Sequence, residues 1–284
     1  MQNKKKVVDE LLAIRQRRKT NLPSFEIYFR LIWLEYAYEN RDKSNKEMLR
    51  YFPIAIIACI ETFFRLTIKQ LIDHGEPYLT NSQSIMPKTN VGFEILKALH
   101  GQKVTIGDII SHSISLSSFE HIVSNVNKTM ALDFLKELAE IKNRWAIEIE
   151  KQTDKPMLSN PNEVFKYVAR TFQLRHIFCH ETASNHIFEI EEIEKCFENS
   201  IRFLKASGVL INHILYPNAP LTQAEINIEL SERYIKEKKI MESLIDEFSA
   251  KTSLSQKERG ERYLSTIHYF LLHQIMSRQE NYDK

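Results

Sequence analysis

An arginine placed four to six residues ahead of a histidine supplies two side chains that can cleave RNA together. Arginine can hold a phosphate through two parallel hydrogen bonds, and histidine can exchange a proton with a ribose hydroxyl near neutral pH. Three pairs in the chain have this spacing: Arg170 and His176, Arg175 and His180, and Arg262 and His268. Composition alone would produce roughly 1.6 such pairs in a chain of this length, so the context of each pair must decide which one carries chemistry.

Arg175 and His180 lie near the end of the helix with the clearest start signal in the chain. Asn160 is suited to the N-cap, Pro161 to the first helical position and Glu163 to the third. Five residues turn a helix by about 140° beyond a full turn, so one chain does not place both side chains on one face unless the arginine reaches around or the helix loosens near Thr182. We therefore expect two protomers to share the site. The alternative is a helix-terminal arginine and histidine that make ordinary surface contacts with the macrodipole.

The other two pairs have simpler explanations. Arg170 and His176 flank apolar residues inside the same predicted helix, where we expect one side chain to be solvated and the other to border the core. The histidine of the third pair, His268, lies in an amphipathic segment near the C-terminus, where helix packing accounts for it.

Metal and nucleotide chemistry have little support. A zinc protease motif beginning at His180 would need a histidine at position 184, where Ser184 stands. His176 and His180 are one helical turn apart, but no carboxylate or thiol recurs at a matching spacing. The chain also contains no glycine-rich phosphate loop and no nucleophile elbow. We expect neither a metal nor a cofactor.

The composition is that of a soluble helical protein. The 284 residues are 43% hydrophobic and 27% charged, and they include only six glycines and eight prolines, which leaves few turns. The net charge of +2 gives no overall attraction to nucleic acid. Residues 1–19, however, hold seven lysines or arginines against two acids. They could form a basic stripe that contacts phosphate, or simply a solvated terminal helix.

Three cysteines, scattered and odd in number, indicate reduced thiols and a cytoplasmic location. The basic N-terminus has no apolar stretch behind it, so it does not read as a secretory signal. The longest apolar run, residues 52–60, ends at Glu61, and we expect no membrane insertion.

Helical periodicity predicts the following helices, with residues 76–90 as a long loop between them. Their expected ranges are 24–39, 45–73 with Pro53 bending or interrupting it, 93–100, 104–112, 117–126 with Ser117 and Glu120 as a capping box, 131–148, 160–177, 193–215, 222–248 and 263–276.

Three stretches, taken in order, resemble the HEPN superfamily, whose helical bundles are named for nucleotide binding in higher eukaryotes and prokaryotes. They are residues 56–65, which contain Glu61 and Arg65, residues 105–113, and residues 175–180. The second stretch is similar to a segment of large bacterial members of the RiboL-PSP type. The resemblance covers about residues 45–215.

Composition and periodicity predict an all-α fold, and the resemblance implies that it contains a HEPN-like helical bundle, with extra helices at both ends outside the region of resemblance. Residues 1–44 would form N-terminal basic and amphipathic helices, and residues 45–215 the HEPN-like core. Residues 216–284 would form a C-terminal helical extension, which is either an accessory unit or the last part of the same bundle.

The resemblance also implies a metal-independent endoribonuclease that leaves a 2′,3′-cyclic phosphate, acts as a homodimer on RNA, and serves in toxin–antitoxin or antiphage defence with an antitoxin or defence-system partner. Arg175 would bind and polarise the scissile phosphate, and His180 would act as general acid or base. His176, Glu61 and Arg65 would bind the substrate or orient the motif. The alternatives are a non-catalytic HEPN-like module that binds RNA, a nucleotide or a protein in a defence complex, and a helical interaction protein without nucleic acid.

Overall fold

The computed structural model describes residues 8–14, 23–42, 45–86, 93–101, 104–143, 147, 154–180, 188–215 and 217. Within that part the chain is 80% helical and contains no strand, which confirms the predicted all-α fold. Three predictions lie outside the described residues: the basic stripe at residues 4–6 and 15–19, the pair Arg262 and His268, and the C-terminal extension apart from Pro217.

The helical elements follow one another with short connections, after a helical segment at residues 8–14. They are α1 (Pro23–Glu39), α2 (Lys46–His74), α3 (Tyr78–Asn81), a 3-10 turn (Ser82–Ser84), α4 (Phe93–His100), α5 (Ile106–Ser113), α6 (Phe119–Met130), α7 (Phe134–Glu140), α8 (Pro161–His180) and α9 (Ile190–Leu215).

Helix α2 is the central helix and packs against α1, α5, α6, α8 and α9. The Asn45 side chain caps its N-terminus by accepting a hydrogen bond from the Met48 amide, and Gly75 follows its last residue with a φ of 105°. The sequence predicts a bend or an interruption at Pro53, and the structure shows no interruption there. Proline removes one backbone hydrogen bond, and the burial of the apolar side chains around it offsets that loss.

By length and composition alone, the segment Glu47–His74 could cross a membrane, since its most apolar stretch has a hydropathy of 1.6. In the fold, 67% of that stretch is buried against the other helices. This burial is consistent with the central helix of a soluble bundle.

Phe203 of α9 lies at the centre of the main core. Its ring contacts Phe64 of α2 at a centroid distance of 5.6 Å and Phe134 of α7 at 6.2 Å. It also meets Phe119 of α6 at 5.6 Å and Phe165 of α8 at 6.5 Å. This one aromatic residue therefore joins the packing of five helices, and contact between aromatic rings stabilises a core beyond simple area burial.

Helix α1 shares this core, although the predicted boundary at residue 44 separates it from the bundle. The aromatic ring of Tyr38 stacks on Phe197 of α9 at a centroid distance of 4.5 Å. The Arg41 guanidinium lies 3.8 Å from the centre of the Tyr38 ring. Arg41 also donates to the carboxylate of Glu194 at 2.8 Å. These contacts hold the end of α1 against α9.

Helix α8 begins where the sequence predicts. The Asn160 side chain accepts from the Glu163 amide at 3.4 Å, and its own amide group donates to the Glu163 carboxylate at 3.1 Å. The helix then runs without interruption to His180, three residues beyond the predicted end.

The predicted loop at residues 76–90 is wrong in its first half, where α3 and the 3-10 turn form. This half is tied to the bundle by a hydrogen bond from the Asn81 side chain to the Thr129 carbonyl at 3.1 Å. The polar composition that suggested a loop therefore reflects side chains that bond to neighbouring backbone.

The predicted helix at 131–148 also starts in the wrong place. Ala131 has a φ of 53°, which ends α6, and α7 begins only after Asp133, whose side chain caps it. The Asn127 side chain accepts from the Phe134 amide, and Phe134 is fully buried. Burial of this ring gives a reason for the break between α6 and α7, which no glycine marks in the sequence.

The capping box predicted at Ser117 and Glu120 is likewise wrong by one position. Ser118 is the cap of α6 and accepts from the His121 amide at 3.2 Å. The Ser117 hydroxyl instead lies within hydrogen-bond distance of the His121 ring.

Close packing of α5 on α2 places the second of the three HEPN-like stretches. A Cβ atom added to Gly107 would lie 2.5 Å from the Lys69 carbonyl oxygen and 2.5 Å from a carboxylate oxygen of Asp73, so only glycine allows this approach. The same Asp73 carboxylate accepts from the Gly107 amide at 3.1 Å. Thr105 and Asp108 form a capping box at the start of α5.

Candidate functional site

The last turns of α8 are anchored by the buried residue Leu174. It belongs to a small apolar cluster with Leu49 of α2 and with Ile193 and Cys196 of α9. One turn further on, the ring of Phe178 contacts Phe188 at a centroid distance of 5.5 Å. Phe178 and Phe188 pack against the same cluster, so one face of the end of α8 is held in place, and the residues between Leu174 and Phe178 have defined directions.

Arg175 points toward the central helix. One terminal nitrogen of its guanidinium lies 3.9 Å from a carboxylate oxygen of Glu61, and both side chains are partly exposed, at 29% and 27%. A partly exposed pair at this distance contributes little to stability. The guanidinium is thus placed by Glu61 but only loosely held.

Glu61 lies between two arginines. Burial raises the pKa of the Glu61 carboxyl, while the positive charges of Arg175 and Arg65 act in the opposite direction. Arg65 itself donates a hydrogen bond to the Ser111 carbonyl at the end of α5. Burial also lowers the pKa of the Arg65 guanidinium, and Glu61 counteracts this. The sequence-predicted residues Glu61, Arg65 and Arg175 are therefore brought together at one place.

His180 is not part of that group. Because α8 is continuous to its last residue, the five-residue step from Arg175 keeps its rotation of about 140°. His180 lies instead beside His176, one turn back on the same face, with ring centroids 5.0 Å apart and ring planes at 49°. Both histidines are exposed. No hydrogen bond to either ring is found among the described residues.

Arg170, from the competing pair, serves to join α8 to α9. Its guanidinium forms an ion pair with Glu192 at 2.7 Å and donates to the Gln173 side chain at 3.1 Å. The expectation for this pair was that one member would be solvated while the other bordered the core. In the structure Arg170 is half-buried and paired, and His176 is exposed.

Arg170 also lines an open groove of about 740 Å³ between α8 and the start of α9. The aromatic ring of Tyr167 lies in it, with the ammonium groups of Lys166 and Lys195 each within 6 Å of the ring centre. Acidic side chains balance the basic ones around this groove. Sequence reasoning missed it because its two walls come from different helices, and neither wall alone has a recognisable motif.

Of the three cysteines, two are buried and one is exposed. Burial raises the pKa of the Cys59 and Cys196 thiols to about 11, which suits inert core residues. Cys179 is exposed. Across the described residues, no three histidine, cysteine or acidic side chains gather closely enough to hold a metal ion.

No protein-family model matches this chain, and no match was found among curated proteins or solved structures. The geometry at the end of α8 and the resemblance of the three stretches are therefore the features that point to a function. The resemblance to the HEPN superfamily stays a prediction.

Proposed function

We propose that the chain is a cytoplasmic, metal-independent endoribonuclease of HEPN type, whose active site is shared across a homodimer. The main support is that Arg175 is available to bind a phosphate, whereas Arg170 is not. Arg170 is committed to Glu192 and Gln173, whereas among the described residues Arg175 has only the 3.9 Å contact with Glu61. His180 is exposed at the end of the same helix.

In the proposed reaction, Arg175 of one protomer binds a phosphate of single-stranded or loop RNA with two hydrogen bonds and stabilises the charge that develops on it. His180 of the other protomer takes the proton of the neighbouring ribose 2′-hydroxyl or delivers one to the leaving 5′-oxygen. The 2′-oxygen forms a bond to phosphorus as the bond to the 5′-oxygen breaks, which leaves a 2′,3′-cyclic phosphate. Neither step requires a metal.

The supporting residues act through Arg175. Glu61 holds the guanidinium near its working position until an RNA phosphate replaces the weak contact, and Arg65 moderates the charge of Glu61 from the other side. His176 lies beside His180 and contacts the same part of the substrate. A nuclease of this kind needs restraint, so we propose an antitoxin or defence-system protein as its partner.

Total RNA in EDTA, incubated with the pure protein, tests the proposal. We expect the wild type to cut, and Arg175→Ala and His180→Ala each to lose about 10²-fold or more in rate, the scale of a lost acid–base or oxyanion group. Exposed Arg202 and His213 of α9 supply matched controls. Arg202→Ala and His213→Ala should cut as the wild type does. A wild type that cuts no faster than either active-site variant would contradict the nuclease proposal.

A second candidate is a non-catalytic HEPN-like module that binds RNA, a nucleotide or a protein. The observation that favours it is the carboxylate of Glu61 near Arg175, which partly neutralises the positive charge that would stabilise the transition state of cleavage. In the same RNA experiment, this module would bind RNA in a gel-shift assay without cutting it.

A further inference from the structure

His176 and His180 form a pair at the end of α8 that the catalytic proposal uses only in part. The two rings are exposed, one helical turn apart and 5.0 Å between centroids. Neutral imidazole is a common ligand for divalent late transition metals, with Zn²⁺, Ni²⁺ and Cu²⁺ among those it suits. The remaining question is whether the separation of the rings fits one shared ion.

The separation can be compared with that of a chelate. A metal–nitrogen distance of about 2.0–2.1 Å and a further 1.2 Å or so to the ring centre put each centroid roughly 3.2 Å from the metal. Two such rings are then about 4.5 Å apart at a right angle and about 5.2 Å apart at a tetrahedral angle. The observed 5.0 Å lies between these values.

From this geometry we propose that His176 and His180 form a two-point binding site for a divalent transition-metal ion. Water completes the coordination, because no third histidine, cysteine or acidic side chain joins the pair in the described part of the chain. Such a site is open and reversible, unlike a closed four-ligand structural site.

Occupation of this site has a consequence for the nuclease, and this step rests on the proposed function. A ring nitrogen that coordinates a metal ion has no lone pair left to accept a proton. Metal bound at His180 therefore blocks acid–base catalysis, and the free ion acts as an inhibitor of an enzyme that needs no metal. A chelator restores activity.

Binding is tested by titrating Ni²⁺ alone into the full-length protein in a calorimeter, with every variant in a Cys179→Ser background to exclude the exposed thiol. We expect one ion per chain in the wild-type background. His176→Ala and His180→Ala should each bind at least about tenfold more weakly, since loss of even a supporting group costs about 10–100-fold. The control His213→Ala should bind as the wild type does. Equal affinity for all four proteins would overturn the proposal.

This measurement does not depend on catalysis. Binding with the expected pattern in a protein that never cuts RNA would support the metal site and reject the nuclease. Cutting in EDTA by a protein that binds no Ni²⁺ would reject only the metal site. Where both hold, added Ni²⁺ should inhibit cleavage at concentrations that match its calorimetric affinity, and cleavage that persists with the site saturated would overturn the inhibitory step.

Discussion

At the scale of single residues, burial and neighbouring positive charges act on the Glu61 carboxyl in opposite directions. Burial raises the pKa of its carboxyl above the ordinary value of 4.5, while Arg175 and Arg65 partly offset this. Its charged form is therefore costly to bury, but it is also what keeps Arg175 in place. A partly buried carboxylate with a perturbed pKa is typical of a group that orients a functional side chain.

The raised pKa of Glu61 makes its contribution to stability depend on pH. The folded state binds the proton more tightly than the unfolded state, so stability falls as pH rises from about 4.5 through the folded pKa. Glu61→Gln removes this dependence. In urea denaturation across pH 4 to 8, we expect the wild type to lose stability relative to Glu61→Gln as pH rises. The exposed Glu140→Gln is the control. A difference between wild type and Glu61→Gln that is constant with pH would contradict the assignment.

At the scale of helices, capping signals in the sequence were reliable where the two residues that bond to each other lie within one helical turn. Asn160 and Glu163 bond to each other, so the start of α8 could be predicted. The box predicted at Ser117 is wrong by one residue, because Ser118 accepts from the His121 amide while the Ser117 hydroxyl lies near the His121 ring. The break between α6 and α7 at Ala131 could not be predicted, since it depends on the burial of Phe134 in the core.

Gly107 gives a test at this scale, because two effects predict opposite results. In a helix, alanine is intrinsically better than glycine by about 1 kcal/mol. Here an added Cβ would meet the Lys69 carbonyl at 2.5 Å, and overpacking of this kind costs about 1–3 kcal/mol. We expect Gly107→Ala to lower the free energy of unfolding by denaturant titration. Its neighbour Ile106 is 45% exposed, so Ile106→Ala should change it by about 0.5 kcal/mol or less.

If Gly107→Ala proves more stable than the wild type, then α5 does not pack on α2 as closely as described. The same result would contradict the hydrogen bond from Arg65 to the Ser111 carbonyl, which depends on this packing.

At the scale of the whole molecule, the separation of Arg175 and His180 on α8 favours a site to which two copies of the chain contribute. We expect a homodimer, with a mass by light scattering near twice the 33.5 kDa of one chain at micromolar concentration. A monomer at that concentration would count against a shared site.

Mixing two inactive variants gives a sharper form of the same prediction. A dimer of one Arg175→Ala chain and one His180→Ala chain still has an intact arginine on one protomer and an intact histidine on the other. Mixed and re-equilibrated, the two variants should regain cleavage of RNA that neither shows alone. Mixing Arg175→Ala with a second preparation of itself is the control, and equal inactivity of both mixtures would contradict a site shared between protomers.

The amino-acid sequence by itself determined the helical class, the start of α8 and the angle between Arg175 and His180. These depend on hydrogen bonds and rotations between residues close together along the chain. Only the tertiary structure decided that Glu61 lies beside Arg175, while Arg170 is taken by Glu192. Those partners are far apart in sequence and on different helices, so their contacts depend on how buried faces pack α2, α8 and α9 together.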